Sequence, residues 1–191
     1  KKFAVQDFQG ALNDSEKYIQ QFTGEEIVPK FEMLKAILIA RLDGYLAYKE
    51  ALNYVALNYP NDEEGKRAQQ IIQSSLPKIA NKAVVNDDKS TSFKIIYAFQ
   101  KNETEAMDAL EKTINQMIED REYNSLSISR DVYDRSQKFI VIHGFKTKLA
   151  AITVDDMLET APVYKVEKQS VIMSGENYQT VQIHKNLDEI K

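Results

Sequence analysis

The sequence has no cysteine, no tryptophan and only two histidines among its 191 residues. Without cysteine, disulfide bonds, thiol catalysis and thiolate metal sites are all excluded. The six glycines are scattered singly, so the chain has no glycine-rich phosphate loop. No histidine pair has the spacing of a zinc site. These absences remove several classes of enzyme and metalloprotein.

Long apolar runs are also missing, since no stretch approaches the ~20 residues of a membrane span. The net charge is −4, so a broad basic field for a nucleic-acid backbone is absent. No signal-peptide pattern is visible. The chain begins Lys1-Lys2-Phe3 without methionine, which we interpret as a segment of a longer protein that could carry a signal, a lipid anchor or further domains outside this sequence.

The first 80 residues have the three- and four-residue apolar spacing of helices. Breaks at Gly24, Asp43-Gly44 and Pro60 divide this region into helices joined by short turns, which favours antiparallel neighbours. A generic helical bundle is one interpretation. The other is a hairpin repeat, in which each pair of helices buries its apolar stripe against the next pair.

The hairpin interpretation gains from one stretch of sequence. The segment Ala47-Tyr48-Lys49-Glu50-Ala51-Leu52, followed by Asn58-Tyr59-Pro60-Asn61, resembles the second helix and turn of a tetratricopeptide repeat (TPR). The resemblance implies one full repeat with flanking helices, which is a surface for holding other proteins.

The second half changes to the two-residue period of strands. Residues 93–99 alternate, a helix is predicted over about 103–121, and two further strands form a hairpin around Asp134-Arg135-Ser136. Another helix, a strand and a terminal helix follow. Strand, helix, strand, strand, helix, strand is the order of a ferredoxin-like fold.

The predicted fold class is therefore α+β, with helices first. We predict TPR-like helical hairpins over 1–80, a polar linker over 81–92 and a ferredoxin-like α+β domain with a C-terminal helix over 93–191. Both helices within that domain should pack on one sheet face. Ile96, Ile140 and Ile142 are predicted to point to the second face, where either the rest of the chain or a partner protein covers them.

Candidate catalytic residues are few. His143 lies on a central-looking strand, where a half-buried structural role is the commoner one, and His184 lies near the end of the last helix. Asp155, Asp156 and His143 form the least implausible reactive set, provided that the fold brings them together. We predict no catalytic, cofactor-binding or metal-binding residue, and therefore no enzyme.

Two stretches resemble a known family. Val28-Pro29-Lys30-Phe31-Glu32-Met33-Leu34-Lys35-Ala36 and the repeat at 48–68 look like the last repeats of the large tetratricopeptide lipoproteins of Bacteroidota. Those proteins serve gliding motility and the type IX secretion system (the SprE/PorW-like proteins). Val171-Ile172-Met173-Ser174-Gly175-Glu176-Asn177-Tyr178 is similar to a strand-then-Ser-x-x-Asn-Tyr signature of small α+β domains in those organisms.

The resemblance implies a non-enzymatic protein–protein interaction scaffold at the periplasmic face of the outer membrane. Its partners would be other protein subunits of an envelope assembly, not nucleic acid, with the membrane reached only through an anchor outside this segment. No cofactor is implied. The partner-binding candidates are Tyr97, Ile140, Ile142, Tyr48 and Tyr59.

An alternative function follows from the strand order of the second half. The small sporulation-related repeat that binds peptidoglycan has the same order, so this half could be a glycan-binding module. The candidate contacts on that interpretation are Tyr97, Ile140 and Ile142.

Overall fold

The computed structural model describes residues 2–189, apart from the side chain of Ala4. In that range seven α-helices accompany one four-stranded antiparallel sheet, and helices come first along the chain. The prediction of an α+β protein with its helices first is confirmed. None of the described helices is both long and apolar enough to cross a membrane.

Contacts between residues divide the chain into two compact units. The helical unit runs to Ala83 and also includes Gln182–Asn186. The sheet-containing unit runs from Val84 to Val181 and resumes at Leu187.

The helical unit begins with a short 3₁₀ turn, Phe3–Val5. Its α-helices are α1 (Phe8–Gln21), α2 (Val28–Asn58), α3 (Glu63–Ser74) and α4 (Leu76–Ala80). Asp7 caps α1 by accepting the backbone N–H of Gly10 at 3.0 Å. Pro29 lies in the first turn of α2, where its missing N–H has no helical partner to lose.

Gly44 interrupts α2 at the break predicted for Asp43-Gly44, so that two helical segments meet there. Its φ of +82° and ψ of −164° are favourable almost only for glycine. A Cβ atom added there would lie 2.8 Å from the backbone oxygen of Ile183 and 2.8 Å from Cγ of Lys185. Glycine is therefore required both by the backbone conformation and by the close approach of residues 183–185.

Small side chains let the helices of this unit approach closely. Ala36 and Ala68 are fully buried. They belong to one apolar core that joins α2, α3 and the start of α4, whose buried members are Met33, Ala36, Leu52, Val55, Ala68 and Leu76.

The sheet-containing unit alternates strands and helices. Its elements are β1 (Phe93–Gln100), α5 (Thr104–Asp120), β2 (Ser127–Val132), β3 (Gln137–Phe145), α6 (Lys148–Thr160), β4 (Val171–Ser174), α7 (Gly175–His184) and a 3₁₀ turn, Leu187–Glu189. The strand order across the sheet is β2-β3-β1-β4, and all neighbours are antiparallel. The first helical residues of α7, up to Val181, belong to this unit.

The register of β1 against β3 decides which side chains share a face. Ile95 lies opposite Ile142 and Tyr97 lies opposite Ile140, and opposite residues in an antiparallel pair point to the same side. Ile140 and Ile142 therefore join the core beneath α5 and α6. The prediction that they point to the second face is wrong.

A β-bulge at the end of β3 explains the error. Phe93 lies opposite Phe145 while Ile95 lies opposite Ile142, so β3 contains one extra residue. Gly144 provides it, with a φ of +106°. The bulge places Phe145 on the same side as Ile142, whereas strict alternation places it on the side of Val141.

The sheet consequently has two apolar faces. Met107, Leu110, Ile114 and Met117 of α5 and Ala151, Val154 and Leu158 of α6 pack on the first face. Ile96, Phe139, Val141 and Met173 form the second face, and Tyr178 and Val181 of α7 cover it together with Tyr133 and Leu187. Ile96 is thus on the face predicted for it, and this unit supplies its own cover.

We expect Gly44→Ala to lower the free energy of unfolding by about 3 kcal/mol, because the new methyl group meets backbone as well as an unfavourable φ and ψ. Gly24→Ala is the matched control: its φ is +86°, yet nothing lies within 4 Å of an added Cβ. That control should lose only about 1 kcal/mol. Urea denaturation followed by circular dichroism measures both, and equal losses would contradict the packing role of Gly44.

Candidate functional site

The structure buries three of the five predicted partner-binding residues. Tyr97 is 1% exposed, and Ile140 and Ile142 have no exposed surface. The hydroxyl of Tyr97 donates to Oδ1 of Asp155 at 2.9 Å, and burial is the main reason that its pKa is raised. Side chains in the middle of a covered sheet cannot contact a partner or a glycan, so these three residues are withdrawn as contacts.

Tyr48 and Tyr59 lie in the helical unit. Both are half-buried against its apolar core, and burial is the main cause that raises the pKa of each phenol. They keep part of their surface in water and remain candidate contact residues.

The predicted reactive set is not assembled. Asp155 lies on α6, above the first face of the sheet, and accepts hydrogen bonds from Tyr97 and Ser170. Asp156 is exposed on the same helix. His143 lies on the second face, so the sheet separates it from both carboxylates.

His143 instead belongs to a polar group at one end of the second face, which we call the second-face cluster: Lys94, Ser129, Asp131, His143 and Tyr178. Nζ of Lys94 lies 2.6 Å from Nδ1 of His143, and Oγ of Ser129 lies 2.6 Å from its Nε2. The hydroxyl of Tyr178 donates to Asp131. Nζ of Lys94 also lies 5.5 Å from the centre of the Tyr178 ring.

Three strands and one helix position the cluster. Strand pairing places Ser129 opposite Val141 and Asp131 opposite Phe139, on the same face as His143. Lys94 projects from β1 two residues before Ile96, and Tyr178 lies in the second turn of α7. The signal in the sequence that points to the cluster is the period-two recurrence of polar residues at 127, 129 and 131.

Hydrogen-bond roles in the cluster follow from the donors available. A lysine ammonium group only donates, so Nδ1 of His143 accepts and Nε2 donates to Ser129. Ser129 therefore keeps its own proton and is not activated as a nucleophile. Burial and then Lys94 lower the pKa of His143, while Asp131 raises it; burial also lowers the pKa of Lys94.

The Ser-x-x-Asn-Tyr stretch has a structural explanation. Oγ of Ser174 accepts the N–H of Asn177 at 3.1 Å and so caps the start of α7. The Asn177 amide pairs with the backbone of Val85 in both directions, at 2.9 and 3.0 Å. Because Tyr178 reaches Asp131 from the next position, all three residues hold α7 and the chain before β1 in place.

An apolar cavity of about 560 Å³ lies between α1 and the first half of α2 in the helical unit. An ion pair between Lys2 and Asp14, at 2.7 Å, lies in its wall. Its other lining residues are mostly apolar: Phe3, Val5, Ala11, Ser15, Tyr18, Phe31 and Leu34. Such a lining suits an apolar side chain and offers no set of reactive groups.

Within residues 2–189, no group of three or more histidine, aspartate or glutamate side chains could hold a metal ion. No protein-family model matches the chain. A search of the curated proteins also finds no match.

We expect Lys94→Met to raise the pKa of His143, because it removes an ammonium group while keeping the apolar stem. In the native chain the lowered pKa means that the unfolded state binds a proton first as pH falls below about 6.5. The free energy of unfolding therefore falls as the pH drops from about 6.5 to the pKa of His143 in the folded chain. Lys94→Met should lose less of it over that range. Imidazole NMR titration measures the pKa of His143.

Lys138→Met is the control, because Lys138 lies on β3 with His143 but on the first face of the sheet. It should leave the pKa of His143 unchanged. An unchanged pKa in Lys94→Met would contradict the contact between Lys94 and His143.

Asn177→Asp should lower the free energy of unfolding by about 2 kcal/mol, since Asn177 is buried and the change removes the donor of its bond to the Val85 carbonyl. The new carboxylate still accepts the Val85 N–H but places an oxygen against an oxygen. Urea denaturation of this variant can be compared with that of Asn124→Asp at an exposed turn position. A loss no larger than in that control would show that the pairing with Val85 contributes little.

Proposed function

We propose that the chain is a non-enzymatic protein–protein interaction scaffold. The supporting observation is the apolar cavity between α1 and α2, whose lining includes three aromatic rings, Phe3, Tyr18 and Phe31. The second half of α2 adds Leu46, Tyr54 and Leu57, all exposed. Apolar surface of this kind stabilises a protein only when another surface covers it.

The finer description of the two units is part of the proposal. For a TPR-like helical unit, the support is the hairpin of residues 45–58 with α3, joined at Pro60 and closed over the buried side chains of Leu52, Val55 and Ala68. For a ferredoxin-like second unit, the support is the antiparallel strand order β2-β3-β1-β4 with both crossover helices on one face. α7 on the second face is an addition to that arrangement.

The occupant that we propose for the cavity is an amphipathic helix from another subunit of a bacterial envelope assembly. Two helices form the walls, and a groove between helices accepts the apolar face of a third. The assignment to the periplasmic side of the outer membrane, and to type IX secretion and gliding motility, rests on the sequence resemblance alone.

A glycan-binding module is the second candidate, and the strand order of the sheet favours it. The contact residues first expected for it, Tyr97, Ile140 and Ile142, are buried. A glycan would therefore need a different surface of the unit. Sedimentation with purified peptidoglycan sacculi tests this candidate directly.

Photo-crosslinking tests the scaffold proposal. A photoreactive phenylalanine analogue replacing Leu34, which lines the cavity and is 37% exposed, should crosslink in envelope extracts to a subunit that mass spectrometry identifies as a secretion or gliding component. The same analogue at Leu149, 71% exposed on α6, is the matched control. A second variant, Phe31→Glu, should reduce the crosslink at Leu34 at least about fivefold by placing a charge in an apolar wall.

Equal crosslinking at Leu34 and Leu149, or none at Leu34, would contradict the proposal. So would a Leu34 crosslink that Phe31→Glu leaves unchanged, provided that circular dichroism shows the variant to be folded.

A further inference from the structure

Both ring nitrogens of His143 are engaged in a way that suits only a neutral ring. Lys94, from β1, approaches Nδ1 at 2.6 Å, and Ser129, from β2, lies 2.6 Å from Nε2. In this arrangement Lys94 carries the one positive charge of the pair and His143 is neutral. A second proton would place an N–H of the ring directly against the ammonium group of Lys94, with no acceptor between them.

One carboxylate lies close enough to respond. The titratable groups that face His143 are Lys94 from β1, Asp131 from β2 and Tyr178 from α7; β4 contributes the apolar Met173 to this face. Asp131 accepts the hydroxyl of Tyr178. It is also the group whose charge favours the protonated forms of both His143 and Lys94.

Protonation would therefore change the partner of Asp131. Repulsion at 2.6 Å moves either the imidazolium or the ammonium group away, and the carboxylate is the nearest anion in the cluster. A hydrogen bond from a cation to a carboxylate is stronger than one from a neutral hydroxyl, so the cation competes with Tyr178 for Asp131.

Tyr178 is one of the two side chains by which α7 covers the second face. It is 7% exposed, and its ring centre lies 6.4 Å from that of Phe139. Val181, one turn later, is the other contact and is apolar. Losing the Asp131 bond leaves the phenol hydroxyl of a buried side chain without that acceptor, which weakens the attachment of α7.

We propose that His143 is a pH-sensitive switch whose protonation loosens α7 from the second face of the sheet. The switch goes beyond the scaffold function and does not depend on it. Because burial and Lys94 lower the pKa of His143, the switch operates below pH ~6.5, at which an ordinary histidine is half protonated.

Hydrogen–deuterium exchange of the full chain tests the switch. After correction for intrinsic rates, backbone amides of α7 up to Val181 should exchange faster at pH 5.5 than at pH 7.5. The expected increase is up to about tenfold for each unit by which the pKa of His143 lies below its unfolded value. Amides of β3 should change less.

Two glutamine variants sharpen the test. His143→Gln keeps an acceptor for Lys94 and a donor for Ser129 but cannot titrate, so it should abolish the acid response. His184→Gln, which removes the other histidine of the chain, should retain it. Tyr178→Phe should exchange faster already at pH 7.5 and respond little to acid.

The native chain gives an independent measurement should a variant fail to fold. Its α7 amide shifts and the imidazole shifts of His143 should titrate with one midpoint in NMR spectra. Different midpoints, an acid response that survives in His143→Gln, or exchange in α7 that does not depend on pH would each overturn the switch.

Discussion

The antiparallel register between β1 and β3 is the constraint on which the sheet-containing unit depends. It sets Ile95 against Ile142 and Tyr97 against Ile140, which commits those four side chains to the core beneath α5 and α6. Ile96 of β1 and Phe139 and Val141 of β3 then face α7. A shift of one residue would exchange the two sets and place His143 among apolar side chains.

Gly144 lets the two faces differ in character. The extra residue of the bulge returns Phe145 to the first face, while His143 stays on the second, beside Lys94. The second face is therefore apolar at Phe139 and Val141 and polar at its end. α7 matches this division, with Val181 on the apolar part and the hydroxyl of Tyr178 on Asp131.

Periodicity predicted most of the architecture, because the apolar periods of amphipathic helices and alternating strands are visible within about ten residues of sequence. It could not give the faces of β3, since a bulge depends on the partner strand and leaves only Gly144 as a local sign. The cluster was missed for a related reason: Lys94, Ser129 and His143 are far apart in sequence and meet only through strand pairing. The contact candidates Tyr97, Ile140 and Ile142 failed because the sheet is covered on both faces, which the apolar residues on both sides of β1 and β3 already indicated.

The pairing of Asn177 with Val85 has a consequence for the polar stretch before β1. A turn-rich connector is ordinarily where a protease cuts first, because cleavage needs several residues of backbone that can be drawn into an extended form. Here Val85 is fixed on both its N–H and its carbonyl, and Asp87 pairs with Lys148 at 3.2 Å. A protease must therefore break both hydrogen bonds to Asn177 before it can draw the backbone of Val85 into an extended form.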